Sequence, residues 1–153
     1  MDYSQGITIR PMMADDYDPA VQLWMATPGM GLNSIDDSRE GIARYLRRNP
    51  TTSFVAMDGD TLAGVILCGH DGRRGIIHHT AVRPDLRGRG IGKALAQAAI
   101  EALRREGIAK VWLVVFKRNI SGNAFWEHLG FDAREDLHFR GMTLDHNLVR
   151  IDT

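Results

Sequence analysis

The residues best suited to chemistry are the seven at Arg87-Gly88-Arg89-Gly90-Ile91-Gly92-Lys93, between a β-branched run and a long helical pattern. Three alternate glycines let the backbone approach a ligand closely, and a helix opening at Ile91 presents free N–H groups and the positive end of its dipole to an anion. Arg87, Arg89 and Lys93 add positive charge at the same mouth, as a pyrophosphate requires. Two familiar phosphate loops are excluded by spacing. A Walker loop needs Ser or Thr after its Gly-Lys pair, and Ala94 follows Lys93; a dinucleotide fingerprint reads Gly-x-Gly-x-x-Gly, whereas Gly88, Gly90 and Gly92 are evenly spaced by two. Just upstream stand His78 and His79, side chains able to take a proton near neutral pH. On a regular strand they point to opposite faces, so at most one serves a given cleft, and adjacency alone makes them no metal site.

The surrounding pattern supplies a frame of alternating elements. Gly6 to Arg10 alternates as a strand and is closed by Pro11, and Asp16 to Met25 carries apolar residues at helical spacing. The turn formers of Thr27 to Asn33 make a loop, and a second helix starts near Asp36-Asp37-Ser38 and runs to about Arg48, before Asn49-Pro50. Strands at Thr52 to Met57 and Thr61 to Gly69 are joined by Asp58-Gly59, a hairpin turn. Gly75 to Val82 is a strand, and Ile91 to about Glu106 is a helix stopped by Gly107. Lys110 to Phe116 is an apolar run that predicts a strand covered on both faces. A helix over Asn119 to Leu129 is closed by Gly130, and Phe131 to Leu144 is expected to hold one or two closing strands. Interspersed strands and helices give an α/β or α+β fold.

Length and composition bound the possibilities. With 153 residues the chain fits one domain, residues 1–153. Nineteen Lys plus Arg balance nineteen Asp plus Glu, which removes the global field that drives nonspecific binding to nucleic acid or membranes; neither is an expected partner. The lone Cys68 forms no internal disulfide and reads as a buried structural thiol, and no Cys/His spacing resembles a zinc site, so no metal is expected. The N-terminus MDYSQGITIRPM lacks an apolar signal region and no stretch is long enough to span a bilayer, so a soluble cytoplasmic protein is expected.

The pattern Arg87-x-x-Gly90-x-Gly92, after Ala81-Val82-Arg83-Pro84, resembles the acyl-CoA signature of the Gcn5-related N-acetyltransferase (GNAT) superfamily, and Asn119 to Phe131 (NISGNAFWEHLGF) is similar to its second signature. The resemblance implies a mixed, mostly antiparallel central sheet that splays between two parallel strands, with helices on both faces. It also implies acetyl-CoA as cosubstrate and an amine as acceptor. Carried over by position, the backbone of Arg87, Gly88, Arg89, Gly90, Ile91, Gly92 and Lys93 would hold the pyrophosphate, and Ala81, Val82 and Asn119 the pantetheine arm. The family places catalytic His or Glu at positions matching Ile76 and His78, which favours His78 as base. Trp126 stands where the family has the Tyr that protonates the leaving thiolate, and Val114 where it often has a second base. Trp126 either shapes the acetyl pocket beside the cofactor or packs as core. Trp24, Met30 and Leu32 are the expected apolar wall of the acceptor cleft, and Asp36 and Asp37 either attract the amine or cap the second helix. The readings left open are a small-molecule amine, a peptide N-terminus or lysine, and a noncatalytic acyl-CoA-binding module. Val149 to Thr153 and a strand around Phe139 offer an edge for a homodimer.

Overall fold

The computed structural model describes residues 6–151. Met1 to Gln5, read above for a signal region, and Asp152 and Thr153, the end of the expected dimer edge, lie outside the described residues. A five-stranded sheet has the order β1-β3-β4-β5-β6. Strand β1 (Ile7–Pro11) pairs antiparallel with β3 (Phe54–Asp58), which turns at Asp58-Gly59 into β4 (Thr61–His70). Strand β5 (Gly75–Val82) runs antiparallel to β4, and β6 (Val111–Leu113) lies parallel to β5 at the sheet's end. A separate two-stranded pair joins β2 (Leu32–Asn33) to β7 (Arg150–Ile151).

Pleat alternation divides the core between the two sheet faces. Helices α1 (Tyr17–Met25) and α2 (Arg39–Arg48) bury Ala20, Trp24, Ile42 and Leu46 against Val55, Val65, Leu67 and Ala81. Helix α3 (Ile91–Arg105) packs Leu95, Ala96, Ala99 and Leu103 on the opposite face, against Ala56, Ile66, Cys68 and Ile77. Helix α4 (Ile120–His128) buries no residue fully, and Trp126, Leu129 and Phe131 join the rim of the α3 layer. Ser38 caps α2 by accepting the Gly41 N–H at 3.0 Å, and Arg47 and Arg48 in the last turn suit the helix dipole. No helix among the described residues is long and apolar enough to cross a membrane.

Two expectations fail toward the C-terminus. The apolar run at Lys110 to Phe116 forms only the three-residue β6, and Trp112 and Val114 are exposed rather than covered. Phe131 to Leu144 forms no strand; the chain from 132 to 149 is irregular, with turns at 135–136 and 146–147, and almost wholly exposed before β7. Strand patterns are realised only by pairing, and β6 has no neighbour on its outer edge among the described residues.

Cys68 is fully buried, and its backbone carbonyl accepts the hydroxyls of Thr52 (2.7 Å) and Ser53 (3.0 Å). Burial pushes its thiol up to about 12, with Glu106 adding a smaller push, so it remains a thiol and no nucleophile. Gly69 sits where β4 passes beneath α2. A Cβ there would lie 2.6 Å from Asn49 Cγ and closer still to the Tyr45 hydroxyl, while Asn49 Oδ1 accepts the His70 N–H at 2.9 Å. Gly69→Ala should therefore destabilise the chain by ~1–3 kcal/mol through overpacking, read as a lower Tm by differential scanning calorimetry.

Candidate active site

The sheet opens between β5 and β6. Their parallel pairing lasts three residues, from Gly75 with Val111 to Ile77 with Leu113, and then the strands part. A β-bulge in β5 begins where the pairing ends: Ile66 pairs with Thr80 but Cys68 pairs with Ile77, so Leu67 alone faces both His78 and His79. A bulge bends its strand and breaks the pleat's period of two. Both imidazoles consequently lie on the α1–α2 face, which corrects the expectation of opposite faces. His78 meets the edge of Tyr45 with ring centroids 5.7 Å apart, His79 meets Trp24 at 5.1 Å, and the two histidine rings are 6.3 Å apart.

The two histidines differ in their surroundings. His79 Nε2 lies 2.7 Å from Asp37 Oδ1, with side-chain exposures of only 13% and 6%. Asp37 Oδ2 accepts the Asn33 N–H at 2.8 Å, and the Asp37 backbone carbonyl accepts the Tyr17 hydroxyl at 2.7 Å. Asp37 thus ties the α1–α2 connection to β5 and is not free to attract an amine, while the capping role belongs to Ser38. His78 is exposed on the floor of the opening. The protein around it thins its hydration, and this desolvation with neighbouring His79 lowers its pKa below the ordinary 6.5, against the weaker opposing pull of Asp37 and Asp36. A neutral imidazole near pH 7 is a proton acceptor in waiting.

At the far end of β5 the chain makes a 3-10 turn at Pro84–Leu86 and enters the glycine loop. Gly88 and Gly90 have φ of +80° and +83°, a region that side chains with a Cβ enter only under strain. Gly90 is the N-cap of α3 and has no side chain to cap with, so the first-turn N–H groups of Ile91, Gly92 and Lys93 remain available to an anion. Buried Ile91 anchors that turn, whereas Arg89 and Lys93 are exposed beside it. The Arg87 Nε–H donates to the Val82 carbonyl at 3.1 Å, pinning the loop to the end of β5. Gly92 lies close under α4: a Cβ there would stand 3.3 Å from Phe125 and 3.6 Å from Val82. Ala81 is buried against the α1–α2 face, leaving its backbone as the part able to meet a ligand. These residues fit a pyrophosphate with an extended arm, since donors, cations and glycines converge at one end of a strand whose edge is uncovered.

Asn119 opens α4, its side-chain oxygen accepting the Gly122 N–H at 2.9 Å. Trp126 is half-buried and stacks edge-on with Phe125 and Phe131, at centroid distances of 4.8 and 5.2 Å. Of the expected acceptor wall, Trp24 and Leu32 are fully buried core residues and offer no surface to an acceptor; Met30 is half-buried at the edge of that core. Sequence reasoning missed Phe116, whose ring lies 3.7–3.8 Å from where a Cβ of Gly29 or Gly31 would stand, under the Arg118 guanidinium at 4.2 Å. Gly29 and Gly31, with φ of +83° and +70°, let the α1–β2 loop fold onto that ring across the opening. Their clustering in Thr27 to Asn33 was the available signal. The Asp37–His79 pair, 42 residues apart in sequence, left none.

Comparison with known proteins agrees with this geometry. The acetyltransferase (GNAT) family profile matches residues 17–131. An acetyltransferase of Sodalis glossinidius is 30% identical over 136 residues, 89% of this chain and 94% of that protein. The fold is similar to that of PaiA N-acetyltransferase from Thermoplasma acidophilum in complex with coenzyme A, with TM-score 0.71 and 18% identity over 84% of this chain and 91% of the other. It is also similar to an aminoglycoside acetyltransferase from an uncultured soil metagenomic sample in complex with sisomicin, with TM-score 0.73 and 18% identity over 94% of this chain and all of the other. With the profile spanning both the parted strands and the glycine loop, the chain belongs to the acetyltransferase (GNAT) family.

Proposed function

We propose that this chain transfers an acetyl group from acetyl-CoA to a primary amine of a small molecule, with His78 as base. The observation that carries the reading is the exposed His78, held neutral on the floor of the β5–β6 opening, on the same strand that leads into the glycine loop. Acetyl-CoA supplies its acetyl group as a thioester. The N–H groups at Gly90 to Lys93, with Arg89 and Lys93, bind its pyrophosphate, and the backbone of Ala81 and Val82 with the Asn119 amide aligns the pantetheine.

An amine reaches the site largely as an ammonium, which has no lone pair to attack with. His78 takes one proton from the ammonium and passes it to solvent, then takes the second from the attacking nitrogen as the N–C bond forms and the C–S bond breaks; the thiolate leaves and is protonated by solvent, to which His78 returns its own proton. Trp126 has no acidic proton to give, and a thiol with an ordinary pKa of ~8.5 leaves without one. His79 acts through position: the Asp37 carboxylate fixes its ring beside His78 and Trp24. The packing of Gly29 and Gly31 on Phe116 favours a compact acceptor over an extended chain, because the loop bridges the opening where a through-running peptide would lie. The sisomicin-bound relative fits the same reading.

His78→Ala should lower kcat by ~10²–10⁴-fold while leaving acetyl-CoA affinity unchanged by calorimetry. Release of CoA at the wild-type rate would refute the base assignment. In the wild type kcat should fall on acidification only below pH 6.5, because the lowered pKa keeps His78 neutral to more acidic pH, and this limb should vanish in His78→Ala. Gly90→Val, which places a branched side chain at φ +83°, should cost ~1–3 kcal/mol locally and raise the KM for acetyl-CoA by an order of magnitude or more, with a smaller effect on the amine KM. Binding of acetyl-CoA without turnover across a broad panel of amines and peptides would favour the noncatalytic module.

A further inference from the structure

We propose that the end of the molecule opposite the glycine loop binds the phosphodiester backbone of a nucleic acid, independently of acetyl transfer, through three arginine pairs that the fold brings together there. Arg47-Arg48 end α2, Arg73-Arg74 lie in the β4–β5 connection, and Arg104-Arg105 end α3. All six are exposed. Far apart in sequence, they are gathered around His70, the last residue of β4. Its backbone N–H donates at 2.9 Å to Oδ1 of Asn49, the residue after α2, and its Nε2 lies 2.7 Å from Oε1 of Glu106, the residue after α3. The Thr51 hydroxyl reaches the same carboxylate, and the Gly75 N–H donates at 2.8 Å to the carbonyl of Lys110, a further exposed cation. Helices α2 and α3 pack on opposite faces of the sheet, so the pairs form a row across its end, with the helix layers about 10 Å to either side of the connection.

The local balance is positive although the chain as a whole is neutral. The carboxylates on these segments are already engaged. Asp71 accepts the N–H groups of Arg73 and Arg74 at 2.8 Å, Glu106 takes His70 and Thr51, and Glu101 pairs with Arg104 at 3.5 Å. Arg47, Arg48, Arg73, Arg74 and Arg105 make no ion pair among the described residues. The macrodipole puts about half a negative charge at each helix C-terminus, less than either arginine pair supplies. What remains selects phosphate. Guanidinium groups are planar forks that meet phosphate oxygens through two parallel N–H bonds and shed water more readily than an ammonium. Among residues 44–51, 70–75 and 100–110 no large apolar side chain is exposed, so a partner protein finds no anchor and a bilayer no face to bury. CoA does not account for the charge, because the row lies at the Gly75 end of β5 and the glycine loop follows Val82, roughly 20 Å away along the strand.

The test is fluorescence anisotropy of a labelled single-stranded RNA of mixed sequence, titrated with the chain in saturating CoA. The RNA should bind with a Kd of ~10–100 μM near physiological salt and tighten by a factor on the order of 10² at a quarter of that salt, a log–log slope of about −4 for six phosphate contacts. Arg73→Gln with Arg74→Gln keeps the backbone N–H groups that bind Asp71. Circular dichroism and the rise in Tm given by acetyl-CoA should therefore be unchanged, while RNA affinity at low salt falls by roughly tenfold or more and the slope drops to about −3. Absence of binding at low salt would overturn the proposal, as would an affinity unchanged in the double variant or an RNA displaced by CoA. Displacement by poly-glutamate at equal charge would reassign the row to an acidic protein, and tighter retention on phosphatidylserine vesicles would reassign it to a membrane surface.

Discussion

Everything at this site depends on a parallel pair of strands that stops pairing after three residues. A continuous ladder from Gly75 to Val82 would satisfy the β5 backbone with β6 and leave no room for a ligand. The bulge at His78-His79 prevents it. By placing two residues opposite Leu67 it adds local twist to β5, and the strand swings from β6 just as the imidazoles arrive. Backbone groups freed in this way need partners other than a strand, and a long ligand with amide groups is chemically equivalent to one.

The same irregularity organises the α1–α2 face. With both histidines on one face, one is free to be buried and the other to remain accessible. Asp37 takes His79, and through its second oxygen and its carbonyl it also holds Asn33 and Tyr17, so β5, α1 and the loop before α2 meet at one carboxylate. Trp24 and Leu32 support that junction from within the core. The ring of Phe116 supports it from the far side, where the glycines of the α1–β2 loop lie against it.

Much of this was legible in the sequence because local chemistry sets it. The glycine loop, the helix behind it, the Asp58-Gly59 hairpin and the capping of α2 at Ser38 follow from residue types that act within a few positions of themselves. What was not legible depends on partners distant in the chain. Alternation assigned His78 and His79 to opposite faces, and only the register of β4 against β5 reverses that. Trp24 and Leu32 were expected to line the acceptor cleft because the resemblance places the first two helices and their connecting loop over it, but their burial is decided by α2 and the sheet. The apolar run at Lys110 to Phe116 has a strand on one side only, for three residues, and the alternation around Phe139 has none among the described residues. A propensity of that kind is satisfied only by pairing, so it shows as exposed surface wherever the neighbour is missing.

The lone thiol has a practical meaning for anyone following the reaction. Thiol-reactive dyes report the free CoA that such enzymes release, and a reactive protein cysteine would contaminate the signal. With its pKa pushed up to about 12, Cys68 is thiolate to only ~10⁻⁴ at pH 8, and it is sealed beneath α3 as well. The folded chain is therefore colourless to the dye, and each molecule that unfolds contributes one equivalent. Catalysis and loss of structure can be counted in the same cuvette.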